Sequence, residues 1–290
     1  MNLNRLLIVI VGFAFTGCTI SIPRFEARED FKTTIPVDGQ VEFDVSTFNG
    51  TISVHENPNN AIDVVAHMLA RGQTQEEADA GLESLKPTTE TNASEIKLSV
   101  KRSLERTNYS DSVSLELLVP QNMKLRLKTS NGAVECFDRA ADVEIKSSNG
   151  GIRLERVRGS ASVDTSNGKI DVVDSQGTML LESSNGKINL KSCALLGKNT
   201  LRTSNGTIQV ELIPIAAIGL TASTSNGDVK CGITDANVKQ SKKSRMEGVL
   251  FGQDGEANTT LELKTSNGHI GISEAPQKEA LPSVVEKSAL

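Results

Sequence analysis

Apolar and polar residues alternate in short runs along most of this chain, and the runs stop at the same punctuation each time. Leu125, Leu127 and Thr129 lead into Ser130-Asn131-Gly132, and Val134 and Cys136 lead out. Val143, Ile145 and Ser147 lead into Ser148-Asn149-Gly150, followed by Ile152 and Leu154. Ala161, Val163 and Thr165 lead into Ser166-Asn167-Gly168, followed by Ile170 and Val172. Period-two alternation on both sides of a corner predicts strands with one buried face. The corner returns at Ser183-Ser184-Asn185-Gly186, Thr203-Ser204-Asn205-Gly206, Thr224-Ser225-Asn226-Gly227 and Thr265-Ser266-Asn267-Gly268, and in variant form at Thr47-Phe48-Asn49-Gly50. From Gly132 to Gly227 the corner glycines keep a nearly constant interval, and the step from Gly227 to Gly268 is about twice as long. One rung near the end is therefore expected to be degenerate or replaced by a loop. A second turn, often with Gly (Gly159, Gly177, Gly197, Gly219), separates the units. Asn-Gly and lone Gly are read as suppliers of the positive φ that tight corners demand.

Two architectures share this pattern. Asn-Gly between alternating runs is a strong hairpin signal, and a hairpin would pair Thr129 with Val134. In a parallel solenoid each unit of about 18 residues is one coil, and equivalent strands stack about 4.8 Å apart. The solenoid is preferred because stacking places like on like, so each position favours its own kind. A meander has no need to repeat its turn so closely. The eight asparagines Asn49, Asn131, Asn149, Asn167, Asn185, Asn205, Asn226 and Asn267 are then expected to form a structural corner ladder rather than a ligand site.

The flanks depart from the repeat. Val41 to Val54 carry the first copy, Ile62 to Ala70 alternate as a strand, and Gln75 to Leu85 predict a short helix ending before Pro87. Glu95 to Val100 and Ser112 to Val119 predict further strands. Residues 41–120 are therefore expected to cap one end of the solenoid as a small α+β unit, since an uncapped end exposes strand edges and core. Residues 121–273 are assigned to the solenoid proper, with an insertion loop at 235–255 and a disordered tail at 274–290.

The first residues belong to another class of segment. Arg5 precedes an apolar run from Leu6 to Phe15, too short to span a bilayer, which takes about 20 apolar residues. The run fits the h-region of a secretory signal. It ends at Phe15-Thr16-Gly17-Cys18, which resembles a bacterial lipobox, with Phe15 where Leu is usual. Residues 1–17 are expected to be a signal peptide, Cys18 the site of lipid attachment, and 18–40 a tether from the membrane. Acyl anchoring draws on about 0.8 kcal/mol per buried CH₂. The expected location is the cell envelope, at the outer membrane if the cell is Gram-negative.

Composition narrows the rest. There is no Trp and one Tyr, so the core must be aliphatic and sugar stacking on aromatic rings is disfavoured. Net charge is −5 for the whole chain and about −6 without Arg5, which gives no electrostatic reason to bind nucleic acid. After Cys18 the cysteines are Cys136, Cys193 and Cys231, an odd number without CxxC spacing. Cys136 and Cys231 fill a core slot held elsewhere by Val172 and Leu190. At about five coils apart, roughly 24 Å, they are beyond disulfide reach. Cys193 is placed just past a strand, as a candidate free thiol.

Taken together, the Thr-Ser-Asn-Gly corners from Asn131 to Gly268, the Val119-Pro120 step and Phe48-Asn49-Gly50-Thr51-Ile52 resemble the bacterial putative-adhesin family of β-strand-repeat domains of unknown function. The resemblance covers about Val41 to Ser273. It implies a solenoid of the right-handed β-helix type and no catalytic residues.

Candidate chemistry is sparse. His55, His67 and His269 show no metal-binding spacing, and no metal or cofactor is expected. The corner serines recur identically and lack a nucleophile elbow. Asp164, Asp171, Asp174 and Glu182 are outward carboxylates, and charges so placed are usually a solvated face. The leading expectation is a non-enzymatic, lipid-anchored adhesin or envelope interaction scaffold with a protein or glycan partner. The alternatives are a polysaccharide-acting β-helix enzyme, which needs carboxylates gathered in one groove, and a periplasmic envelope-stress or assembly factor.

Overall fold

The computed structural model describes residues 25–102, 110–252 and 257–276. The chain lays down β1 (Phe25–Pro36), β2 (Glu42–Ser46), β3 (Ile52–Asn57), β4 (Ala61–Gly72), the helix α1 (Gln75–Leu85), β5 (Thr88–Thr91), β6 (Glu95–Ser99) and β7 (Ser112–Pro120). The repeats follow as β8 (Lys124–Lys128), β9 (Val134–Arg139), β10 (Val143–Ser147), β11 (Ile152–Val157), β12 (Ala161–Thr165), β13 (Ile170–Val173), the short β14 (Gln176–Gly177), β15 (Met179–Ser183) and β16 (Ile188–Leu195). The chain continues with β17 (Lys198–Thr203), β18 (Ile208–Leu212), β19 (Ile218–Thr224), β20 (Val229–Cys231), β21 (Ala236–Lys242), β22 (Arg245–Leu250), β23 (Thr259–Thr265) and β24 (Ile270–Glu274).

These strands form two 12-stranded sheets. The first runs β1-β4-β7-β3-β9-β11-β13-β16-β18-β24-β20, with β14 beside β16. The second runs β21-β22-β19-β23-β17-β15-β12-β10-β8-β2-β6-β5. The two strands flanking each corner lie in different sheets, as β8 and β9 do, so the hairpin arrangement is excluded. Repeat strands pair in parallel with their counterparts: Val143 pairs with Ala161, and Ile152 with Ile170. The fold is thus all-β and solenoid-like, with one helix among the described residues. Alternate residues of both sheets face inward, and Ile145, Val163, Leu181, Ile152, Ile170 and Ile188 share one continuous core with the fully buried Phe43.

Spatial order departs from chain order at both ends. The coil made by β6 and β7 lies outside that of β2 and β3. At the other end β23 sits between β17 and β19, and β24 between β18 and β20. The last coil of the sequence is therefore slotted into the stack rather than added to its end. This accounts for the long interval between Gly227 and Gly268.

Three expectations need correction. Residues 25–36 are not a tether: β1 pairs along its whole length with β4 in antiparallel register, and Ala27 and Ile35 are buried. The expected loop at 235–255 is instead largely the antiparallel ribbon β21–β22, joined to β19 through β22, with Met246 and Leu250 in the core. Cys193 lies inside β16, not past it, and is fully buried. The signal segment, Cys18 and tail residues 277–290 lie outside the described residues.

Helix α1 closes the end beside β1 and β4. Thr74 caps it by accepting from the Glu77 N–H at 3.2 Å, and Ala78, Gly81, Leu82 and Leu85 form its buried face.

Candidate functional site

The corner column is the most regular feature of the molecule. Each Asn Nδ2 donates to the Oδ1 of the next asparagine at 2.7–2.8 Å, in the order Asn226, Asn267, Asn205, Asn185, Asn167, Asn149, Asn131, Asn49. Asn49 ends the run by donating to the Asp111 carbonyl at 3.1 Å. All eight asparagines singled out from the sequence belong to one chain of amides. Beneath it, the Thr or Ser that opens each corner turns inward. Thr203 Oγ1 donates to the Gly186 carbonyl of the adjacent rung at 3.0 Å and accepts the Gly206 N–H at 3.2 Å. Thr165 and Ser183 accept the N–H of Gly168 and Gly186 in the same way. A buried hydroxyl must be paired to be tolerated, and this one is paired across and along the stack.

The corner glycines serve a different purpose from the one expected. Of these, only Gly50 has a left-handed φ, +127°. A Cβ at Gly132, Gly150, Gly168, Gly186, Gly206, Gly227 or Gly268 would instead lie 1.6–2.0 Å from the carbonyl oxygen of a glycine in the adjoining rung. Close approach of backbones, not dihedral freedom, excludes a side chain there.

The left-handed conformations sit at a second corner. Asp138, Arg156, Asp174 and Ser192, at equivalent positions of successive repeats, have φ of 48–56°. The residue after each one, Arg139, Val157, Ser175 or Cys193, turns into the interior. Arg139 is the unexpected member: fully buried, it donates to the carbonyls of Val119 at 2.8 Å, Met123 at 3.2 Å and Pro120, and its Nε has no partner. Burial lowers its pKa. Nothing in the sequence marks it except its place one repeat before Val157. Burial also pushes the Cys136 thiol up to about 12 and Cys193 to about 11. Cys231 is half-buried, and all three are free.

Of the four outward carboxylates singled out from the sequence, two stand apart and two come together. Asp171 faces out from the first sheet, Asp174 stands at the second corner, and Asp164 and Glu182 are neighbours on the second sheet. There they join Glu144 and Glu262 around an open depression of about 560 Å³ with Leu180, Ser162 and Thr200 in it. Three of the four acids are committed to cations. Glu144 pairs with Lys146 at 2.8 Å, and Arg202 pairs with Glu262 at 2.9 Å and with Glu182 at 3.9 Å. The Lys146 ammonium holds the Glu144 carboxyl below its ordinary value, the wrong direction for a proton donor. On the same face Asp44 is shifted up, chiefly by burial and then by Glu95. Arg126 stands between Asp44 and Glu144 in the strand register and pairs with Glu42 and Glu144.

The histidines are separated. His67 Nδ1 donates to Asp30 at 2.8 Å, His269 pairs with Asp228, and His55 stacks on Phe137 at 4.7 Å. Among the described residues no group of three or more His, Cys, Asp or Glu side chains could hold a metal ion.

The family model for the Toastrack domain of unknown function matches residues 3–273. The chain belongs to the Toastrack family. No curated protein matches it. Solved structures resemble it distantly. One is described as a putative cell adhesion protein from Clostridium sporogenes, 12% identical, covering 86% of this chain and 100% of its own, with a TM-score of 0.36. A putative adhesin from Bacteroides fragilis is 13% identical, covers 85% and 97%, and scores 0.41. A putative lipid binding protein from Parabacteroides distasonis is 12% identical, covers 86% and 97%, and scores 0.37.

Proposed function

We propose that this Toastrack chain is a non-enzymatic interaction scaffold, held in the cell envelope through a lipid on Cys18. Its coils are right-handed and about as long as the step from Asn149 to Asn167. The observation that carries the non-enzymatic part is the outward face of the second sheet. Three of the four acids around its open depression are paired with neighbouring cations, which suits presentation of a rigid surface rather than proton transfer. The anchor rests on the Phe15-Thr16-Gly17-Cys18 sequence after a short apolar run. The partner is a protein or glycan of the envelope, and the location is the outer membrane if the cell is Gram-negative.

The anchor is tested by metabolic labelling with an alkyne palmitate analogue. The wild-type chain takes the label and stays with the membrane fraction, while Cys18→Ser loses both. An unlabelled wild-type chain overturns it. The scaffold is tested by screening the purified chain against envelope glycans and extracts; no partner, together with no phenotype on deletion, overturns it.

One observation favours the second reading, a polysaccharide-acting enzyme. Asp44 is raised while Glu144 is lowered, and carboxyl groups pushed apart in this way can divide acid and base roles. Arg126 occupies the space between them, where a substrate bond would have to lie. Hydrolysis of envelope polysaccharides by wild type and not by Asp44→Asn would establish the enzyme and displace the scaffold.

A further inference from the structure

Charge is distributed unevenly along the stack. The end closed by α1 carries Glu76, Glu77, Asp79 and Glu83 on the helix and Glu90 on β5. At the opposite end β21, β22 and their turn carry Lys239, Lys242, Lys243 and Arg245 against one acid, Glu247. The strand registers extend these cations inward. On the second sheet Arg202 pairs with Lys264, Lys264 with Ser223, Ser223 with Arg245, and Arg245 with Lys242. Directly opposed residues on adjacent strands point to the same face. The row Arg202, Lys264, Ser223 and Arg245 therefore crosses four strands within about 14 Å at the usual strand spacing, and Lys242, exposed at the end of β21 beyond a register shift, adds a fourth cation beside Arg245.

Two of the four are compensated, Arg202 by Glu262 and Arg245 by Glu247 at 2.5 Å. Among the described residues Lys242, Lys264 and Lys239 make no ion pair. Lys243 helps to hold the Asp228 carboxyl low. Arg245 opposite Lys242 is a like-charge cross-strand pair, which opposes the pairing of β21 with β22. Lysines on β21 guard an open sheet edge against unwanted pairing. That purpose does not extend to Lys264, which lies on the interior strand β23 between β17 and β19.

We infer that this row binds a linear anionic glycan, a reading that rests on the scaffold proposed above. The cations are strung along the row on successive strands, with Ser223 between Lys264 and Arg245, instead of converging on a point, which suits charges spaced along a polymer and not a compact anion. Ser204 and Ser266 border the row beside Arg202 and Lys264 and offer hydroxyls to a sugar. The row contains no aromatic side chain on which nucleic-acid bases could stack.

The test is retention of the full-length chain, purified in detergent, on immobilised heparin and on neutral dextran under a salt gradient. Wild type is expected to be held by heparin at low salt, released as salt rises, and to pass through dextran. The K242Q/K264Q variant loses retention while keeping the wild-type melting curve and circular dichroism. K32Q/K86Q, an equal change of charge at the acidic end, remains bound like wild type. The inference is overturned if wild type passes through heparin, if K242Q/K264Q binds as wild type, if K32Q/K86Q weakens retention equally, or if duplex DNA binds as tightly at the same salt. The interaction scaffold itself would survive a negative result here, because a protein partner would still be recovered from the extract screen.

Discussion

Substituting Gly168 by Ala isolates the feature that sets this stack apart from an ordinary sheet. The added Cβ would sit 1.9 Å from the Gly150 carbonyl oxygen and 2.8 Å from Thr165 Oγ1. Relief requires the two rungs to part by about 1 Å, because overpacked cores relax only by shifting backbone. The bonds that hold them there are short: Asn167 N–H to the Ser148 carbonyl at 2.9 Å and Asn167 Nδ2 to Asn149 Oδ1 at 2.8 Å. A separation of that size takes both beyond hydrogen-bond range, at about 1 kcal/mol each. Overpacking strain adds about 1–3 kcal/mol, so the expected loss is roughly 3–5 kcal/mol. Gly151→Ala is the internal control. It is one residue beyond a corner, its φ is not left-handed, and its nearest foreign atom would be the Lys169 carbonyl oxygen at 4.0 Å. Restricting the unfolded chain should make it neutral or stabilising by about 0.4–1 kcal/mol. Equilibrium urea unfolding followed by circular dichroism reads both, with an unchanged slope confirming that only stability moved. If Gly168→Ala falls within about 1 kcal/mol of Gly151→Ala, the close-approach account of the corner is wrong.

Four further outcomes follow from the same geometry. Asn167→Ala removes the short acceptor of Asn185 Nδ2, leaving it the Ser166 carbonyl at 3.5 Å, and takes the donor from Asn149 Oδ1, but at an exposed corner; urea unfolding should show a loss of about 1 kcal/mol, well below that of Gly168→Ala. Arg139→Met strips the Val119, Pro120 and Met123 carbonyls of a buried donor and should lower stability by about 3 kcal/mol in the same assay. Thiol labelling of the native chain, with Cys18 replaced by Ser, should modify Cys231 first; Cys136 and Cys193, pushed up to about 12 and about 11 by burial, should react only on unfolding. The Asp30 bond raises His67 above its ordinary 6.5, so its stabilising contribution is complete below that value and fades as pH rises through the folded value. His67→Gln should therefore cost stability at about pH 5.5 and little at about pH 8.5, and an equal cost at both would remove the charge from the explanation.

The parts of this molecule that were legible from the sequence are those repeated in it. Period-two alternation marked the strands, and the recurrence of Thr/Ser-Ser-Asn-Gly argued for stacking over hairpins because like residues are brought side by side. The pairing of β8 with β10 and of β10 with β12 is that stacking. The strand β1 was hidden for a physical reason. An edge strand needs few buried positions, and Phe25–Pro36 supplies chiefly Ala27 and Ile35 among Arg, Glu, Asp, Lys and Thr, the composition of a tether. The β21–β22 ribbon was hidden likewise, its cations resembling a solvated loop. Arg139 was illegible because an Arg at a surface-like bulge has no pattern announcing that it turns inward. The corner glycines were found but misread, since a sequence shows that a side chain is missing and not whether a dihedral or a neighbouring backbone forbids it.

The order of the rungs could not have been read at all, and the cause lies in the repeat itself. Each corner offers its neighbour the same carbonyl, hydroxyl and amide, so the Asn267 rung would fit on Asn226 from either side. Position is settled elsewhere, by β22. It covers the far edge of β19 in antiparallel register, from Ile218 with Leu250 to Ser223 with Arg245, which leaves only the near edge of β19 for β23. The turn at 243–244 returns the chain after β21, so β22 and β21 together close the second sheet and direct the last coil inward. The ribbon that resembled an insertion is what makes the final rung a wedge between two others, and a deletion of residues 236–250 would free β19 to accept β23 on either side. The same ribbon places Arg245 in line with Lys264 and Lys242 beside it, so the device that orders the stack also assembles its cationic row.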